Sequence, residues 1–198
     1  MTFIVVEGGE GVGKSTQVDL LVERLLATGR AVDKTREPGG TQKGSELRER
    51  LLHDPRALDP DEELELMLED RRIHVEERIA PALARGTVVV SDRFTPSTLA
   101  YQGVARGLGL ENVEERSRAV TRGVDPDIVV VLDLADDVAE GRLTGVRDRF
   151  ERAGADFHNR VRAAYRDLAP ERGWVVVDAS GAPAEVADRV WAAVEAYL

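Results

Sequence analysis

The chain has 198 residues, 42% apolar and 32% charged, a length and balance suited to one folded domain and remote from disordered or repeat sequences. Against 27 basic residues stand 37 acidic ones, a net charge of −10, so the field of the whole molecule opposes nonspecific binding to nucleic acid or anionic membrane. No cysteine is present, which excludes disulfides and thiolate chemistry, and no leader-like start or long apolar stretch is seen, so a cytoplasmic location is expected.

In chain order, a β-branched run over residues 3–6 reads as a strand buried on both faces, and apolar spacing near 3.6 over 15–27 reads as a helix. A weaker strand candidate covers 31–35, followed by helices over 44–52 and 62–85. Strands are expected at 87–91, 128–133 and 174–177, with helices at 113–122 and 184–197. Such alternation predicts an α/β domain over 1–198, a parallel sheet wrapped by helices with right-handed crossovers. The segment 141–154 differs: Arg142, Arg147, Arg149 and Arg152 sit among glycines with little periodicity, as in a mobile arginine-bearing loop.

Directly after the first strand comes Gly8-Gly9-Glu10-Gly11-Val12-Gly13-Lys14-Ser15-Thr16, which satisfies G-x-x-x-x-G-K-[ST] at a strand-to-helix junction. Glycines let the backbone curl so that N–H groups face phosphate oxygens, and the helix adds its positive N-terminus. Lys14 supplies a point charge for the β and γ phosphates, and the Ser15 hydroxyl is placed for Mg²⁺. The dinucleotide fingerprint G-x-G-x-x-G does not fit the spacing. Such an enzyme also needs a carboxylate at a neighbouring strand end, which Asp92 provides after 87–91, with Asp133 as an alternative. Arg93 follows Asp92; such a pair at a strand end can be a structural ion pair, but here a phosphate clamp is the favoured reading. Thr35-Arg36-Glu37-Pro38-Gly39-Gly40-Thr41 closes the second strand with a rigid turn suited to aiming Arg36 at an anion. Ser97-Thr98-Leu99-Ala100-Tyr101-Gln102-Gly103 places an amide and an aromatic downstream, as a base pocket requires.

Elsewhere the signals are structural. Asp59, Asp61, Glu62 and Glu63 look like the first turn of a helix. His53, His74 and His158 lack metal-ligand spacing and read as surface or helix-packing residues, and Trp191 and Tyr197 as core packing.

Together, Glu7 to Thr16, Thr35 to Thr41, Asp70-Arg71, Asp92-Arg93-Phe94 with Ser97 to Gly103, and Asp148-Arg149-Phe150-Glu151 resemble the thymidylate kinase family, in family order over nearly the full length. The resemblance implies a three-layer P-loop NTPase fold with a five-stranded parallel sheet in the order 2-3-1-4-5, a lid around 141–154, and a homodimer. It implies ATP and Mg²⁺ as cofactors and in-line phosphorylation of dTMP to dTDP. It also assigns roles: Gly8 to Thr16 hold ATP, with Lys14 catalytic, and Ser15 and Asp92 serve the metal. Glu10 faces the sugar, Arg93 and Arg36 hold the acceptor phosphate, Arg71, Thr98 and Gln102 read thymine, and Tyr101 crowds the 2′ position. Glu37 and Ser97 complete the substrate set.

Gly11 and Val12 stand where one class of the family carries a loop arginine, so the sequence resembles the class whose lid supplies it, with Arg147 and Arg149 favoured and Arg142 in reserve. Two departures stand out: Met67 replaces the phenylalanine that stacks on thymine, and Glu69 a customary small residue. The rival readings are a P-loop kinase of another nucleotide or of a nucleoside, and a regulator that binds nucleotide without turnover.

Overall fold

Five strands form one parallel sheet: β1 (Phe3–Glu7), β2 (Val32–Arg36), β3 (Val88–Asp92), β4 (Ile128–Asp133) and β5 (Val175–Asp178), in the order β2-β3-β1-β4-β5. This computed structural model describes residues 1–54, 56, 58–142, 148–150 and 152–198. The sheet order is the one implied by the family resemblance. Four strands end one residue beyond the predicted limit, because Glu7, Arg36, Asp92 and Asp178 lie outside the apolar run yet still pair. Arg36 pairs with Asp92, Val6 with Asp92, and Glu7 with Val131, so three polar residues are set in register at the carboxyl edge.

Side chains alternate across a strand, and the two faces bury separate cores. Phe3, Val5, Val89, Val129 and Val131 pack on one side, with Ile79, Phe94, Phe157, Val161 and Tyr165. Ile4, Val6, Val90, Val130 and Leu132 pack on the other, with Val18, Leu21, Leu25, Val186 and Val190. The result is three layers. Central β1 and β4 are almost wholly buried, whereas β2 at the edge is mostly half-exposed, which explains its weaker sequence signal.

The predicted helices form as α1 (Lys14–Ala27), α2 (Gln42–His53), α3 (Pro60–His74), α4 (Ala80–Ala84), α6 (Leu110–Thr121) and α9 (Pro183–Val194). A π-helical turn, Val75–Ile79, joins α3 to α4, so the single run expected over 62–85 is interrupted by wider winding. Asp59 caps α3 and Glu62 closes a capping box, as the acidic cluster suggests, but Glu63 turns inward and is buried.

Three helical segments were not anticipated from the sequence: α5 (Thr95–Thr98) with a π-helical turn Leu99–Ala105, α7 (Asp136–Gly141), and α8 (Ala155–Arg172). α8 buries Phe157, Val161, Tyr165 and Leu168, but also His158 and Arg162, which interrupt the apolar stripe by which such a helix is recognised. Trp191 is half-buried against the core beside α1, with the Arg24 guanidinium over its ring at 4.4 Å, whereas Tyr197 is 46% exposed, correcting its assignment to the core. No helix among the described residues is long and apolar enough to cross a membrane.

Candidate active site

After β1 the chain builds β2 and β3 on one side of it and then crosses to β4 and β5 on the other, and the carboxyl ends of β1, β2 and β3 open onto one cleft of about 300 Å³. Glu10, Lys14, Ser15, Arg36, Glu37, Met67, Asp92, Arg93, Ser97 and Tyr101 line it together with Gly11, Gly13 and Thr16 of the loop, so thirteen of the residues predicted from the sequence meet in one place.

Two glycines of the phosphate-binding loop are packed too closely to carry side chains. Gly8 has φ 137° and a Cβ there would lie 2.5 Å from the Leu132 carbonyl oxygen; one on Gly11, at φ 77°, would clash with the Ala139 carbonyl of α7. Lys14 Nζ donates to the Gly9 carbonyl at 2.6 Å. Burial pushes its pKa down and the nearby Arg93 charge adds to this, so the ammonium stands as an under-compensated cation.

Ser15 Oγ donates to Asp92 Oδ2 at 2.9 Å. A hydroxyl and a carboxylate are hard oxygen donors, and among the described residues no three His, Asp or Glu converge as an all-protein cage requires. This set fits Mg²⁺, which takes one or two protein ligands and keeps waters and phosphate oxygens. Asp133 instead pairs with Arg166 at 2.9 Å, which removes it as the alternative carboxylate.

Arg93 does not pair with its neighbour Asp92. It crosses to Glu10 Oε1 at 2.6 Å, reaches Ser97 Oγ at 3.1 Å, and lies 4.9 Å over the Tyr101 ring. Its φ of 75° costs about 1–3 kcal/mol for a residue with a Cβ; the bonds Arg93 N–H to Val6 O and Ser91 Oγ–H to Arg93 O hold it there. Burial acts to raise the Glu10 pKa, but Arg93 and Lys14 outweigh it and hold the carboxyl at about 2. Tyr101 Oη also donates to Glu10, at 2.9 Å. Beneath them Glu7 accepts from the N–H groups of Phe94 and Ser97, from Ser97 Oγ and from Tyr165 Oη. Burial raises the Glu7 pKa despite Arg93.

A second buried network supports the turn after β2. Glu37 accepts from Arg71 Nε at 2.9 Å and bonds His74 Nδ1 at 2.8 Å, while His74 Nε2 meets Thr35 Oγ1 at 2.6 Å. Burial would raise the Glu37 pKa, but Arg71 and His74 bring it below the usual value. His74, fully buried, therefore does more than pack a helix. Arg71 Nη2 donates to Thr98 Oγ1, and Gln102 Nε2 to Glu63, both within the protein. Of the six buried side-chain polar atoms without a hydrogen-bond partner among the described residues, two belong to this network, the donor Arg71 Nη1 and the acceptor Gln102 Oε1. A donor and an acceptor are what the O4 and N3–H edge of thymine or uracil would require, although Arg71, Thr98 and Gln102 stand behind the residues that line the cleft and are not themselves among them.

Sequence reasoning missed Arg48, which lines the cleft from α2 and donates to the Pro38 carbonyl at 2.9 Å. Burial and the charge of Arg36 lower its pKa. Nothing in the sequence separates it from Arg50, the other arginine of that helix. Glu69 stands away from the cleft, paired with Arg72 and Lys43, so this substitution does not alter the pocket lining. Arg149 is anchored to Glu63 at 3.0 Å, and Arg142 Nη1 lies 3.9 Å from where a Cβ on Gly13 would sit. Arg147 falls in 143–147, outside the described residues.

Asp70 accepts from the Gly39 N–H at 3.0 Å, and burial, then the Glu37 charge, push its carboxyl up to about 7. The folded state keeps a proton that the unfolded chain has lost, so on account of this group stability falls from about pH 4 to about pH 7 and is level above. Asp70→Asn should remove that slope, gaining on wild type by at most ~4 kcal/mol between the two limits. Thermal unfolding at pH 5 and pH 8 checks this, and parallel behaviour of the two proteins would refute it.

Fold and site together define a P-loop nucleotide-binding protein with an arginine-rich cleft. A sequence profile described as thymidylate kinase matches residues 6–190. Over 200 residues the chain is 52% identical to a thymidylate kinase of Synechococcus sp. (strain JA-2-3B'a(2-13)), covering 99% of this chain and 95% of that protein. It is 47% identical to one of Leifsonia xyli subsp. xyli, covering 95% and 91%, and 45% identical to one of Solidesulfovibrio magneticus, covering 99% and 100%. The chain belongs to the thymidylate kinase family.

Proposed function

We propose that this protein transfers the γ-phosphoryl group of ATP to dTMP, giving ADP and dTDP. The observation that carries the reading is that Lys14, Ser15 and Asp92 share one cleft with Arg36, Arg93, Met67 and Tyr101. Cations for two sets of phosphates thus lie between a phosphate-binding loop and a base pocket. The acceptor is a phosphate oxygen, already anionic near neutral pH, so no strong general base is needed. It forms the new P–O bond as the bond to the β-phosphate oxygen breaks, and the protein's task is positioning and charge neutralisation.

Lys14 and the loop N–H groups orient the ATP phosphates. Arg36, Arg48 and Arg93 hold the acceptor, and Glu10, kept ionised, accepts from the sugar 3′-hydroxyl. Tyr101, tied to Glu10, closes the space beside the 2′ carbon, and Arg71, Thr98 and Gln102 read the base. Ser15 and Asp92 would hold Mg²⁺, which neutralises developing charge on the phosphates. We take 141–154 as the lid of a single domain that excludes water. The family resemblance supports a homodimer, and the use of ATP supports cytoplasmic work.

The test is ADP release from Mg-ATP with each nucleoside monophosphate in turn, with the product identified. Turnover should be strongest with dTMP. Binding of dTMP without diphosphate formation overturns the reading in favour of a nucleotide-binding regulator. Met67 packs in the cleft where an aromatic stack contributes about 0.5–1.5 kcal/mol, so Met67→Phe should lower the KM for dTMP by roughly two- to tenfold with kcat unchanged. A rise in KM would mean that the thioether already fills the base site better than a ring.

A further inference from the structure

Glu63 takes no part in the phosphoryl-transfer machinery, yet it turns inward from the first turn of α3 and is 1% exposed, while Asp61 and Glu62 beside it face solvent. Its carboxylate meets four donors. Oε1 accepts from Gln102 Nε2 at 2.8 Å and Arg106 Nε at 3.2 Å; Oε2 accepts from Arg106 Nη2 and Arg149 Nη2, both at 3.0 Å. A carboxylate flanked by two guanidinium groups is acceptor-only, and this leaves the Gln102 amide no choice of orientation. Turned the other way, its carbonyl oxygen would face a carboxylate oxygen at hydrogen-bond distance. The carbonyl Oε1 is therefore presented away from Glu63, buried and without a donor among the described residues. Such an acceptor is expensive to leave unmade, and with Gln102 taken as a base-reading residue it is where a ligand N–H belongs.

We propose that Glu63 is a specificity-determining positioning residue: by fixing the hydrogen-bonding polarity of Gln102, it makes the base pocket select a pyrimidine whose N3 carries hydrogen and reject cytosine, whose N3 is itself an acceptor. This rests on the reading of Gln102 as a base-reading residue. The substrate class follows from polarity: thymine and uracil monophosphates satisfy Gln102 Oε1, whereas cytosine monophosphate sets two acceptors against each other. Sites built around a buried hydrogen bond discriminate strongly because the wrong partner leaves a polar group unpaired.

The experiment compares kcat/KM for dTMP and dUMP, and the Ki of dCMP against dTMP, in wild type, Glu63→Gln, Glu63→Asp and Gln102→Ala. An amide at position 63 can donate to a flipped Gln102, which then offers its NH₂ to cytosine. The preference for dTMP over dCMP should fall at least about tenfold in Glu63→Gln, mainly through KM and Ki. Glu63→Asp, still acceptor-only, should keep most of that preference. A purely structural role would weaken all three nucleotides alike, and an unchanged preference in Glu63→Gln, with Gln102→Ala altering it, overturns the inference. No change in Gln102→Ala refutes the base-site reading itself. Should Glu63→Gln not fold, wild type labelled with ¹³C and ¹⁵N glutamine decides. Addition of dTMP should shift the Gln102 side-chain carbonyl carbon and leave its NH₂ protected, and a response confined to the NH₂ group overturns the proposal.

Discussion

Lys14→Ala should lower kcat by about 10³ or more while leaving the fold intact or more stable. The lysine Nζ bonds the Gly9 carbonyl within the loop, so its charge is already where ATP phosphates would meet it. In the low-dielectric cleft that charge acts on the transferring group with little screening, and no neighbouring lysine can replace it. The stability argument runs in the opposite direction. Burial, and then the Arg93 charge, lower the Lys14 pKa, so the protonated form is disfavoured in the fold at neutral pH and that cost disappears only as pH rises and the group deprotonates. Removing the side chain relieves the cost and loses one hydrogen bond of ordinary strength. ADP release and differential scanning calorimetry on the same sample test both halves. Activity within tenfold of wild type would sink the catalytic assignment, and a large fall in Tm would mean that the lysine is chiefly a structural brace.

The same burial that makes Lys14 effective explains what could be read from the sequence. The phosphate-binding loop is legible because it needs glycines at set spacing; Gly8 and Gly11 are pressed against the carbonyls of Leu132 and Ala139, and no other residue fits. The strands are legible because both faces are covered, and only β2 at the edge was faint. Arg93 was legible as a clamp at the strand end rather than as the ion-pair partner of Asp92, but its bond to Glu10 was not, because the left-handed backbone that accompanies the crossing side chain has no local sequence signal at an arginine. Glu63 and His74 were read as a first-turn helix acid and a surface or packing residue, because no local pattern shows that a side chain will meet partners from distant segments. α8 escaped because its buried face carries Arg162 and His158, polar groups satisfied by tertiary contacts that a periodicity argument cannot see.

Arg142→Ala should cost about 10³ to 10⁵ in kcat, the range for an arginine that stabilises a transferring phosphoryl group, with smaller changes in the KM for either substrate. Among the arginines expected from the lid, Arg149 is held on the base side by Glu63 and lies 5.3 Å over the Phe150 ring. Arg142, just past the end of α7, extends toward Gly13, the residue before Lys14. α7 is packed against Gly11 through the Ala139 carbonyl, so a movement that carries α7 also moves Arg142 relative to the ATP phosphates. Parallel kinetics of Arg142→Ala, Arg147→Ala and Arg149→Ala separate the roles, since Arg149→Ala should act mainly on the KM for dTMP through the Glu63 cluster. If Arg142→Ala stays within tenfold of wild type and Arg147→Ala does not, the charge comes from the segment beyond α7. Where Arg142→Ala is defective as expected, free guanidinium added to it should restore part of kcat, whereas Arg142→Lys should restore little, because a point charge on a flexible stem cannot reproduce a planar fork across two phosphate oxygens.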